Sequence, residues 1–307
     1  REHGMRLLES MELIKRWANE EEYMFPEYKK YQAEMQMKDA PINAWRQKIK
    51  TCKFDCWDCN YCENVIEYHM KKADIIVHPQ VETCIEAFTN SGKYLSNHKT
   101  YDPNDPDAYF NIPGLSSARV RHFLNNICSQ EGAVYLEVGV YAGSTFCAAI
   151  QNNDMVAAYA NDNWSQPNLQ PAREDIELPI HDVTVDTFVD NLQHNVATDS
   201  LDFDIQVLRG DSSQLGKKDF KHDVNIIFYD GDNTEHKMVE FFNQMLTFTD
   251  KVFTLVIDDA NVEQNVAITK GWVEKQQLRV LYERELLNDQ EDDKMWWNGL
   301  YVLVIAK

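Results

Sequence analysis

VYLEVGVYAGST, residues 134–145, decides how the rest of the chain is read. An apolar run, Val134 to Val140, carries an acidic residue, Glu137, two positions before a glycine, Gly139. A second glycine, Gly143, follows four residues later, and Ser144 and Thr145 then open a helical stretch. This is a strand, a tight turn and a helix. Gly139 lets the chain turn and lets a ligand approach the backbone, while Gly143 lets the helix begin close by. The unpaired N–H groups at a helix start form a polar cradle. A phosphate-binding dinucleotide turn would read G-x-G-x-x-G, which this segment does not. The acid ahead of the first glycine suits a ligand carrying an ammonium group.

Working outward, short apolar runs alternate with helical patterns. Ser116 or Ser117 caps a helix reaching about Ser129. Strands are expected at 156–161, 205–209, 224–229 (VNIIFY), 253–257, 279–284 and 300–306 (LYVLVIA). Helices are expected near 182–195, 235–246 and 262–276. Apolar runs separated by helices imply a parallel sheet covered on both faces. About fifteen residues without a clear helix join the last two strands, too little for a crossover, so that pair is expected to be an antiparallel hairpin. Upstream, Leu7, Met11, Ile14 and Trp17 mark a helical face within 5–37, and 63–73 is also helical in pattern. The stretch 98–114 is rich in Pro, Asp and Asn, and places a boundary between 1–100 and 101–307.

The chain has 307 residues, 44% of them hydrophobic, enough for two domains with real cores. Residues 101–307 carry all but one unit of the formal net charge of −20. A surface so negative repels a phosphate backbone, so no nucleic-acid partner is expected for the second part. No apolar run is long enough to span a bilayer, and no secretory signal is visible, so no membrane association and a cytoplasmic location are expected. The start at Arg1 without a methionine suggests a piece of a larger polypeptide.

Further signals stand at the strand ends. Asp162, Asn163 and Trp164 follow the second strand. Asp211 and Ser212, after Gly210, follow the third. Asp230, Gly231 and Asp232 follow the fourth, and Asp258 and Asp259 the fifth. With residues 134–145, these motifs resemble class I S-adenosylmethionine (SAM)-dependent methyltransferases. The span from about 114 to 307 looks like the branch with sugar and macrolide O-methyltransferases. The resemblance implies a doubly wound, Rossmann-like seven-stranded α/β sheet, mostly parallel, in the order 3-2-1-4-5-7-6. It places SAM on Glu137, Gly139, Gly143, Ser144 and Thr145, with Asp162, Asn163 and Trp164 at the ribose. Asp211 and Ser212 would lie at the adenine, and Asp230 and Gly231 beside the methyl group.

In the magnesium-dependent members, acids after the fourth and fifth strands hold the ion; here these would be Asp230, Asp258 and Asp259. The same branch carries a histidine base three residues after the first acid, where this chain has Asn233. His236, one turn later, is then the alternative base, with Asp230 and Asp258 as catalytic acids. Acceptor choice is expected from 164–179, from 289–298 and from the helix before residue 134. Trp296 and Trp297 either stack on the acceptor or pack in the core. The expected activity is methyl transfer to oxygen on a small-molecule or sugar-like acceptor. The alternative is a methyltransferase-like binding module without catalysis that partners a metal-bearing domain.

Seven cysteines are present, and Cys52, Cys56, Cys59 and Cys62 crowd into eleven residues. That is metal-ligand spacing rather than a disulfide framework, and fits Zn or a 4Fe-4S cluster in a helical, cysteine-rich N-terminal region. The C-x3-C-x2-C subset matches radical-SAM spacing, but the long barrel such enzymes need does not follow. The cluster also resembles the cysteine-bearing C-terminal segments of some radical-SAM proteins. Whether the chain forms a homo-oligomer is not legible.

Overall fold

In a computed structural model of the protein, residues 78–97, 112, 114–165, 183–196, 202–288 and 295–307 are described. The chain divides into two compact units, Arg1–Ile76 and Val77–Lys307, and the described residues all belong to the second. Cys52, Cys56, Cys59 and Cys62, with the helices expected at 5–37 and 63–73, lie outside them. The elements run α1 (Pro79–Gly92), α2 (Ala118–Ile127), β1 (Val134–Val138), α3 (Ser144–Ile150), β2 (Ala157–Asp162), α4 (Val185–Asn195), β3 (Asp204–Arg209), β4 (Val224–Tyr229), α5 (Glu235–Met245), β5 (Thr249–Ile257), α6 (Glu263–Lys275), β6 (Arg279–Leu286) and β7 (Leu300–Ala306).

The second unit begins earlier than the Pro-rich stretch suggests. α1 starts with Pro79 at its first turn, where a missing N–H costs nothing, and the His78 ring accepts from Gln80 N. It buries Val81, Cys84, Ala87 and Phe88 in the same core as α2. The Pro/Asp/Asn signal marks the connection from α1 to α2, inside the unit. α2 is capped by Ser117, whose Oγ accepts from Val120 N at 3.2 Å.

Seven strands form one sheet in the order β3-β2-β1-β4-β5-β7-β6. β1 to β5 pair in parallel, and β7 lies antiparallel between β5 and β6. This is the doubly wound α/β arrangement expected. Strand residues alternate between two cores. Tyr135, Ala158, Ile226, Phe228 and Val256 face the core shared with α1–α4. Leu136, Ile227, Leu255 and Leu303 face the core shared with α5 and α6, where Phe241, Phe242 and Phe248 are fully buried. Truncating any of those three rings to alanine costs about 3–5 kcal/mol. No helix among the described residues is long and apolar enough to cross a membrane.

Candidate active site at the carboxyl ends of the strands

Neighbouring strands stay hydrogen-bonded just past their ends, which joins the exits into one rim. Gly210 N donates to Asp162 O (2.9 Å), Gly139 N to Asn161 O (2.9 Å), Asp230 N to Val138 O (2.8 Å) and Asp258 N to Tyr229 O (3.0 Å). Asp162, Asp211, Asp230, Asp258 and Asp259 therefore lie at strand exits, on the edge where open α/β sheets bind ligands.

The glycine turn is shaped first by the protein itself. Gly139 has φ +88°, and a Cβ there would lie 1.9 Å from the Asp230 carbonyl oxygen. A bulky residue at 139 would displace the exit of β4, so it does more than block a ligand. Gly143, at φ +92°, has the Phe188 ring 2.7 Å from the place of a Cβ. Glu137 also departs from expectation. It is fully buried beneath the turn and accepts 2.6 Å hydrogen bonds from Tyr135 OH and Thr145 Oγ1. Burial pushes its pKa up to about 8 despite those two donors. Glu137 thus ties the start of α3 to β1 and does not face a ligand's ammonium group. Tyr135 and Glu137 share one face of β1, a period-two relation visible in the sequence.

Asp162 is half-buried. Its Oδ2 accepts from Tyr141 N at 2.8 Å and its Oδ1 from Trp164 N at 2.7 Å. Trp164 Nε1 donates to Tyr141 O at 3.0 Å, and its ring stacks on Phe188 at 5.8 Å. Tyr141 (φ +50°) and Trp164 (φ +45°) occupy the left-handed region that non-glycine residues rarely enter. The cost is of order 1–3 kcal/mol each, and such strain gathers at functional sites. Sequence reasoning missed Tyr141. Asn163 is exposed, and its Oδ1 accepts from Ser165 N.

Asp211 is held away from a purely ligand-facing role. Its Oδ1 accepts from Ser213 N and Oγ, and its Oδ2 from Lys237 Nζ at 2.6 Å. The Lys237 ammonium, then Ser213, hold its carboxyl down at about 2. Ser212 begins the short 3-10 turn that Asp211 caps.

Asp230 and Asp258 meet. Burial first, and then the charges of neighbouring acids (Asp258 and Asp259 on Asp230, Asp259 on Asp258), push both carboxyls well above the usual range, and a side-chain hydrogen bond joins Asp230 to Asp258. Asp259 does not complete a triad. Its Oδ2 accepts from Asn233 Nδ2 (2.8 Å) and its Oδ1 from Asn298 Nδ2 (2.9 Å). At φ +54° it ties the loops after β4 and before β7. Among the described residues no group of three His, Cys, Asp or Glu is placed to hold a metal ion. The charge of Asp259 nonetheless bears on both Asp230 and Asp258, while two amide groups engage its own oxygens. Gly231 is packed tightly, with Val138 Cγ1 3.1 Å from the place of a Cβ. His236 is not beside the acids; its side chain is 78% exposed and its Nε2 lies 3.3 Å from Glu240 Oε1. Trp296 is a core residue, 3% exposed and stacked on Phe88, whereas Trp297 is half-buried at φ +56°.

The chain matches no protein-family description and no curated protein sequence. Solved structures similar in backbone include an rRNA methylase from Streptococcus thermophilus, 8% identical over 61% of this chain and 93% of that one, TM-score 0.39. TYW2 of M. jannaschii in complex with AdoMet is 14% identical over 61% and 74%, TM-score 0.40. TrmK of M. capricolum with S-adenosyl-homocysteine is 12% identical over 63% and 70%, TM-score 0.39. Resemblance at this level concerns the course of the backbone alone.

Proposed function

We propose that the chain is a SAM-dependent methyltransferase acting on a small, sugar-like acceptor through oxygen. The observation that carries this reading is Asp162, a half-buried carboxylate fixed by Tyr141 N and Trp164 N beside the glycine turn. A carboxylate whose two oxygens each accept one backbone N–H, with lone pairs left over, suits a ribose diol. The donor set also fits a cationic nucleoside. Asp230, Asp258 and Asp259 concentrate acidic groups at the β4 and β5 exits, and a positive charge above them is favoured there. SAM, when bound, supplies a sulfonium-activated methyl group. The chain's part is to align an acceptor over Asp230 and Asp258 and to take its proton. The ionised form of either carboxyl supplies a basic site with an affinity for a proton above that of an ordinary carboxylate. Asn233 cannot serve as the base, and the placement of His236 does not favour it.

Some similar structures are named as RNA methylases. The formal charge of −20 argues against a polyanionic acceptor here. The test is calorimetric titration with S-adenosylhomocysteine. Binding is expected in the unaltered protein, at least tenfold weaker in Asp162→Ala, and no binding would remove the reading. Binding without turnover on any acceptor would instead favour the non-catalytic module.

A further inference from the structure

α5 and α6 each carry the chain back between parallel strands, so they run in the same direction over the core of Leu136, Ile227 and Leu255. A groove of about 300 Å³ lies between them, with Val239, Ala267, Ile268, Gly271 and Trp272 along it. Trp272 Nε1 and Gln276 Nε2 donate to Asn243 Oδ1 at 3.1 and 3.0 Å. Those bonds satisfy polar groups of the floor and fix the level of one helix against the other. The ends are charged: Glu235 opens α5, Lys275 closes α6, and both are exposed. Gly271 lies inside α6 and is exposed. Its conformation is ordinary helix, and a Cβ there would meet no atom within 4 Å. No described residue requires a glycine at that place, and glycine weakens a helix interior. Bare backbone on an exposed helix face admits a second helix at close range.

We propose that this groove receives α6 of a second copy of the chain, the two α6 helices running antiparallel and crossing at Gly271. Charge and level favour this occupant. α6 carries an acid, Glu263, in its first turn and a base, Lys275, in its last. A helix entering the groove antiparallel brings its last turn to Glu235 and its first turn toward Lys275, so the order of charges on α6 is the one that fits. Asn243 reaches both Trp272 and Gln276, so Glu235, about two turns earlier in α5, stands beside Ala267. With a two-fold axis at Gly271, Lys275 of the second copy also falls level with Ala267, since it lies as far past the crossing as Ala267 lies before it. Each Lys275 therefore meets the other copy's Glu235, and the contact occurs twice. Ala267 and Gly271 let the backbones approach, and Val239 and Ile268 of both copies close over them. Exposed ion pairs add little strength, so the charges set direction and register while the apolar contact supplies affinity. The pairing is independent of the methyltransferase reading.

Sedimentation equilibrium of the full chain tests this. The average mass is expected to rise with concentration toward twice that of one chain. Gly271→Gln places a long side chain at the crossing while leaving the helix intact. It should weaken the dimer at least tenfold with no loss of melting temperature. Glu235→Lys and Lys275→Glu each bring like charges together twice, and each should weaken the dimer several-fold. The double variant restores opposite charges and should return to within about twofold of the unaltered protein. A chain that stays monomeric across the micromolar range overturns the proposal and leaves the groove to another occupant. So does a dimer that Gly271→Gln leaves unchanged, because it must form through a different surface. A double variant no tighter than the two single ones overturns the antiparallel crossing.

Discussion

On the β1–β3 side of the rim, Glu137, Asp162 and Asp211 each have both carboxyl oxygens met by donors: hydroxyls, backbone N–H groups or the Lys237 ammonium. On the β4–β5 side, Asp230 and Asp258 are joined by a side-chain hydrogen bond, and burial pushes both carboxyls well above the usual range. An acid supplied with donors is fixed in place, which serves binding. A buried carboxyl pair with raised pKa values takes up and gives off a proton more readily near neutral pH, which serves chemistry. The same residue type at successive strand exits is thus given two jobs by its surroundings.

The sharpest way to break this division is Asp258→Asn. Turnover is expected to fall about 100-fold, the scale of losing a positioned base. Affinity for S-adenosylhomocysteine should change less than about threefold. Binding lost in proportion to turnover would mean that the two sides are not separate. A middle-sized effect concerns Glu137. Its folded-state pKa of about 8 stands above the ordinary carboxylate value. Its contribution to stability is therefore complete below that ordinary value and is lost as pH rises through about 8. Glutamine keeps the neutral form and can accept from one hydroxyl and donate to the other. Between about pH 6 and pH 9, calorimetric melting of Glu137→Gln should decline less than that of the unaltered protein, by several degrees at roughly 2–4 °C per kcal/mol. Equal slopes would place the titration elsewhere. The smallest effect is expected for His236→Ala. Turnover within about twofold of the unaltered protein agrees with its exposed pairing to Glu240, and a large loss would return the base role to it.

The sheet was legible because its signal is local. VNIIFY and LYVLVIA can only be strands buried on both faces, and the gap before residue 300 leaves room only for a hairpin. The positions of the acids were legible for the same reason, since each follows a strand. What surrounds each acid was not. The partner of Asp211 is Lys237, and that of Asp259 is Asn298, brought close only by the order of strands. Arg119 and Arg121 look like the polar side of a helix, yet all ten residues of α2 are buried. Trp296 and Trp297 differ by one position, and the backbone just before β7 decides which of them enters the core.

β7 gives the sheet an awkward order of arrival during synthesis. It is the last strand of its unit to leave the ribosome, yet it sits between β5 and β6. Until it emerges, the outer edge of β5 has no partner, and β6 has no strand to pair with at all. From the end of β5 at Ile257 until β7 begins at Leu300, the nascent unit therefore carries an apolar open edge, the kind of surface that chaperones cover and that aggregates when left bare. A chain stopped after Asn298 should be recovered from cells insoluble or chaperone-bound, and a soluble monomer from that truncation would show that the remaining strands close without it.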